Sequence, residues 1–182
     1  MVLALSACGF HLKHSSPLAF KNIYTNINLD REFGARLERI VVANSPDTSF
    51  TNDRQAADVF LTVLEDSEEQ KQLSIDAEGR VEEYELDLIF TFEITNQAGD
   101  YILEPTTLES IREIPYNERI VQAKESEMAR TFTDMRTQLI DQIMRRISAP
   151  EVQQRYLELR QEGSTDGLAE SKTIQTKTIN SQ

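Results

Sequence analysis

Glu83-Tyr84-Glu85-Leu86-Asp87-Leu88-Ile89-Phe90-Thr91-Phe92-Glu93-Ile94-Thr95 decides the fold. Tyr84, Leu86, Leu88, Phe90, Phe92 and Ile94 alternate with Glu83, Glu85, Asp87, Thr91, Glu93 and Thr95. A strict period of two predicts a strand with one buried and one solvated face. Turn sequences flank it on both sides: Asp76-Ala77-Glu78-Gly79 before, Asn96-Gln97-Ala98-Gly99-Asp100 after. Glycine supplies the positive φ that tight hairpin turns require, so the strand sits between two hairpin partners.

The partner before it starts at Ala57, places Val59, Leu61 and Val63 on one face, and continues through a polar stretch to Leu73 and Ile75. The partner after it runs from Tyr101 to about Ile114, with Pro105 and Pro115 confining it to an edge or a bulge. Further out, Phe20 to Ile27 mixes aromatic and branched residues as a first strand does. Asn28 or Asp30 then caps a helix carrying Phe33, Leu37, Ile40 and Val41 at helical spacing, stopped by Asn44-Ser45-Pro46-Asp47. Met128, Phe132, Met135, Leu139, Ile143 and Ile147 form one stripe of a long helix over 126–147. Ser148-Ala149-Pro150-Glu151 has the spacing of a capping box opening a short third helix.

This order predicts an α+β two-layer sandwich: two main helices packed on one face of a four-stranded, mostly antiparallel sheet, a short third helix and a disordered C-terminal tail. The strand and hairpin partner running to Asp76 are longer than two helices can cover, which implies a further contact on the sheet.

Leu5-Ser6-Ala7-Cys8 ends the apolar run from Met1 and has the pattern of a bacterial lipobox, making Cys8 the candidate lipidation site. The run is too short for a complete secretory signal, so residues 1–7 read as a residual signal peptide whose precursor starts further upstream. Residues 8–19 then form a lipid-anchored stalk, 20–162 the folded domain and 163–182 the disordered tail. A multiply acylated Cys8 holds a membrane stably where a single chain does not. Past residue 7 no apolar run approaches the length of a spanning helix.

A net charge of -12 over 182 residues excludes non-specific nucleic-acid binding. With a single Cys no internal disulfide forms. The two histidines, His11 and His14, lie in the stalk, where nothing orients an imidazole for catalysis. Cys8, His11 and His14 imitate a metal site only superficially, because an acylated Cys offers no thiolate. No phosphate-binding glycine loop is present. No enzyme activity, metal or cofactor is therefore expected. Acidic residues at 65, 66, 68, 69, 82, 83, 85 and 87 read as solvated strand faces that discourage aggregation. Of the cations, Arg80 follows a turn tip and Lys124 enters the long helix, positions that suit anionic headgroups if they converge.

Cys8-Gly9-Phe10-His11-Leu12, Ala77-Glu78-Gly79-Arg80 leading into Glu83-Tyr84-Glu85-Leu86, and Ala123-Lys124-Glu125 before the long helix together resemble the lipopolysaccharide-assembly lipoprotein family LptE, also called RlpB. That resemblance implies an outer-membrane lipoprotein on the periplasmic face. It would plug and help assemble the LptD β-barrel, and bind lipopolysaccharide on its way to the outer leaflet. Family members contact lipopolysaccharide through basic residues at this turn and before the long helix. Lys124 matches the second position. Ala77 stands where one member of that family has a basic residue, so Arg80, three residues later, is the candidate at the first. The alternative is a periplasmic lipoprotein docking subunit of another cell-envelope complex.

Overall fold

A computed structural model describes residues 17–116 and 121–163. The lipobox, most of the stalk and the tail lie outside them. The element order is β1 (Asn22–Thr25), α1 (Glu32–Asn44), β2 (Ser49–Phe50), β3 (Val59–Ile75), β4 (Val81–Thr95), β5 (Tyr101–Pro115) and α2 (Val121–Ile147), followed by α3 over 150–163.

The two-layer α+β class is as the pattern predicts, but the sheet has five strands and is mixed. Its order is β2-β1-β3-β4-β5. β1 pairs in parallel with both β2 and β3, whereas β3, β4 and β5 form the antiparallel meander. The fifth strand escapes the sequence pattern because Ser49–Phe50 is too short to show a period. It exists because α1 returns the chain beside β1, where Ser49 N–H donates to the Lys21 carbonyl at 2.7 Å and Thr51 N–H to that of Ile23 at 2.9 Å. Parallel strands need such a crossover.

Register fixes which face is buried. Leu86, Leu88, Phe90, Phe92 and Ile94 of β4 are at most 1% exposed and join Leu37 and Val41 of α1 and Met135, Leu139, Ile143 and Ile147 of α2 in one core. Met128 and Phe132, earlier on the α2 stripe, are only partly buried. The apolar sandwich is thus deepest over the last turns of α2, and α2 itself begins five residues before the 126 that periodicity marks. Leu18 is also buried and hydrogen-bonds through its N–H to Ser45 Oγ at 2.9 Å, so the chain enters the core just ahead of Phe20.

Both turns close as the glycines predict, with φ of 82° at Gly79 and 91° at Gly99. Pro105 lies where β5 carries one residue more than β4, between the pairs Phe92↔Thr106 and Ile94↔Leu103, and β5 is the sheet edge. Proline tolerates both places because no ladder donor is needed there. Two cap predictions fail. Helix α1 has Arg31 at its N-cap with no side-chain bond; Asn28 instead accepts the Asp30 N–H in a local turn at 2.9 Å. Ser148 Oγ donates back to the Met144 carbonyl at 2.7 Å, and Glu151 pairs with Arg146 at 2.9 Å, so no reciprocal capping box forms. No helix among the described residues is long and apolar enough to cross a membrane.

Candidate functional site

Two ends of the sheet carry the candidate chemistry. At one, the β3–β4 hairpin tip holds Arg80. Asp76 organises this turn: its Oδ1 accepts the N–H groups of Glu78 and Arg80 at 2.9 and 2.8 Å, and its Oδ2 accepts from Arg80 Nε at 2.7 Å. The Arg80 N–H bond, followed by its side chain, holds the Asp76 carboxyl below its ordinary value of 3.8 against the opposing effect of desolvation. Glu78 takes a second guanidinium contact at 3.3 Å.

Pro115 of β5 pairs with Glu83 beside the tip, Tyr116 N–H donates to the Glu82 carbonyl at 2.7 Å, and α2 begins at Val121. Lys124 Nζ pairs with Glu127 at 2.6 Å, and its side chain is 13% exposed. Lys124 thus enters α2 on the side of the tip, while Glu125 beside it lines a hollow with Glu68 and Gln70 further down β3; each of the two cations already holds a carboxylate. Cys8 lies outside the described residues.

At the other end of the uncovered length of β3, a cleft of about 740 Å³ opens between the β1–α1 connection, β3 and α2, lined by Asn26, Ile27, Phe33, Leu64 and Arg136 among others. Arg136 is the residue that sequence reasoning misses. Its guanidinium forks onto Asp66 at 2.9 and 3.2 Å, reaches Glu68 at 2.7 Å, and stands 5.7 Å from the Phe33 ring centroid. Partial burial works against its charge, and the bonds to Asp66 and Glu68 outweigh that and raise its pKa. Asp66 and Glu68 are thus not simply solvated. The Leu64 bulge, lying between the pairs Val63↔Phe92 and Glu65↔Thr91, turns both onto the helix-covered face opposite Phe90 and Leu88. Asp87 also departs from the wet-face reading: it is 2% exposed, pairs with Lys71 across the strands, and keeps Oδ1 without a partner. The long Lys71 side chain reaches across to this short Asp. Among the described residues no group of His, Cys, Asp and Glu is placed to hold a metal ion.

Residues 18–147 match the family described as LptE, lipopolysaccharide-assembly. Solved structures share the fold. An uncharacterized lipoprotein B from Nitrosomonas europaea aligns with TM-score 0.64 at 21% identity, covering 82% of this chain and 92% of that one. A minor lipoprotein from Acinetobacter baumannii gives 0.58 at 28%, covering 73% and 94%. The rare lipoprotein B from Shewanella oneidensis gives 0.58 at 25%, covering 72% and 97%. No curated protein matches. With the family match spanning most of the chain and the whole sandwich from Leu18 to Ile147, the protein belongs to the LptE family of lipopolysaccharide-assembly lipoproteins.

Proposed function

We propose that the protein is an outer-membrane lipoprotein, tethered through an acylated Cys8 and a short stalk, that plugs and helps assemble the LptD β-barrel and binds lipopolysaccharide in transit to the outer leaflet. The observation that supports this reading is the family match over residues 18–147. The sheet suits it physically: a rigid sandwich whose uncovered face carries Glu65, Glu69, Lys71, Glu85 and Glu109 presents charge, which a polar barrel lumen accommodates. No chemical step is assigned to it.

Lipopolysaccharide contact falls to Arg80 and Lys124. A lipid phosphate binds there by taking over bonds that Glu78 and Glu127 now hold, so the acidic neighbours set a threshold that only a multiply charged headgroup passes. The test is lipopolysaccharide binding by wild type and by the Arg80→Glu/Lys124→Glu double variant. Each lost charge-assisted contact is worth roughly 1.5–3 kcal/mol, so affinity should fall at least tenfold. Equal binding by the two proteins, with the fold intact, would remove the two cations from the reading.

A further inference from the structure

We infer that the outer edge of β3 from Asp66 to Gln72 is a docking site for an extended, cationic segment of a partner polypeptide, which adds to the sheet as a further strand. β1 covers this edge only from Val59 to Leu61, opposite Ile23 to Thr25. Beyond that the Asn26 side chain closes the pairing: its Oδ1 accepts the Val63 N–H at 2.8 Å and its Nδ2 donates to the Val63 carbonyl at 2.9 Å. The main chain then leaves towards α1, and the place that a longer β1 would fill is the mouth of the 740 Å³ cleft. Among the described residues no strand lies on this side of β3 from Glu65 onward.

The direction of the free backbone groups follows from Val63. Its N–H and C=O point away from β4, so the pair Val63↔Phe92 is not hydrogen-bonded to β4, and Thr62↔Glu93 is. Following β4 two residues at a time makes Glu65↔Thr91, Ser67↔Ile89, Glu69↔Asp87 and Lys71↔Glu85 the bonded pairs. Asp66, Glu68, Gln70 and Gln72 therefore turn their N–H and C=O groups outward. A long edge of this kind is a template for strand addition.

Charge selects the occupant. Glu65, Asp66, Glu68 and Glu69 border the edge against a single Lys71, and Arg136 engages only Asp66 and Glu68. Glu65 and Glu69, on the uncovered face, are exposed. Leu64, Leu73 and Ile75 on the same strand are 51, 43 and 61% exposed. The complementary segment alternates Lys or Arg with aliphatic residues. The inference rests on the barrel-partner reading only for which protein supplies that segment.

Residue-resolved hydrogen exchange decides it, comparing the chain purified alone with the chain isolated from its own membranes with bound partners. The amides of residues 66, 68, 70 and 72 should slow at least tenfold in the membrane-derived sample. Gln70→Pro, which removes one outward donor at an edge position, should cut partner recovery tenfold, while Gln70→Thr, which keeps the N–H, should not. Unchanged exchange in the membrane sample overturns the inference, even if a barrel protein co-purifies and the barrel reading stands. Slowed exchange with a partner other than a barrel upholds the edge and sinks that reading instead. Amides already slow in the lone chain overturn the inference too, assigning the edge to a second copy if the effect grows with concentration and to the chain's own remaining residues if it does not.

Discussion

The carboxamide of Asn26 makes both backbone bonds that a strand neighbour would make to Val63, at 2.8 and 2.9 Å. It closes the parallel pairing of β1 along β3, and Val63 stands one residue before the Leu64 bulge. Asn26→Ala should cost about 1–2 kcal/mol, two modest hydrogen bonds at a half-solvated site. Asn26→Asp should cost a similar amount, since a carboxylate accepts from the Val63 N–H but repels its carbonyl. Urea denaturation checks both, and a loss confined to a few tenths would show that the clamp is replaceable by water.

Among the described residues, Gly34 is the glycine whose replacement the fold resists most by contact. A Cβ there would sit 2.2 Å from the Asn28 carbonyl oxygen, a backbone atom that cannot swing aside. Gly34→Ala should destabilise by about 1–3 kcal/mol, the usual range for overpacking, despite alanine's higher helix propensity. Gly79→Ala meets no atom within 4 Å but inherits φ of +82°, so its cost should be about 1–2 kcal/mol and purely conformational. Thermal unfolding of the two variants separates these causes.

Arg136 links α2 to β3 through Asp66 and Glu68. Arg136→Gln leaves two carboxylates on neighbouring positions of one face, and should cost about 1–2 kcal/mol after allowance for their partial exposure. Adding Asp66→Asn and Glu68→Gln should return a good part of that loss. A triple variant no more stable than the single would show that the carboxylates have other partners.

The Lys71–Asp87 pair predicts an alkaline limit. The bond that Lys71 donates to the Asp87 carboxylate raises the Lys71 pKa above its ordinary 10.5, with Glu69 adding to it and desolvation opposing. A raised folded value means that the pair's stabilisation is complete below 10.5 and lost as pH climbs through the folded pKa. The stability difference between wild type and Lys71→Met should therefore be flat from about pH 8 to 10 and shrink above it. Tyr156, raised mainly by desolvation, destabilises both proteins alike at high pH and cancels in the difference. A difference independent of pH would show that the ammonium is not the stabilising group.

The meander was legible because Tyr84 to Ile94 alternates and two glycine turns flank it, and even the Pro105 irregularity followed from the chemistry of proline. What the sequence hid was mostly decided by contact across the chain. Two residues of β2 have no period to read, and β1's parallel pairing depends on where α1 sets the chain down. A one-residue bulge at Leu64 reverses the face of β3 from Glu65 to Gln72, until the register shifts again, which is why Asp66 and Glu68 meet Arg136 when the charge run alone suggests a solvated strand. Arg80 and Lys124 were visible as cations, and the strand register explains why β5 ends beside the tip that carries Arg80. Their carboxylate partners were not visible at the level of single positions.

Native mass spectrometry of the protein released from outer membranes in mild detergent tests the proposed role most directly. One copy of the chain, acylated at Cys8, should appear bound to one β-barrel protein. A chain recovered alone, or one with an unmodified Cys8 thiol, would contradict it.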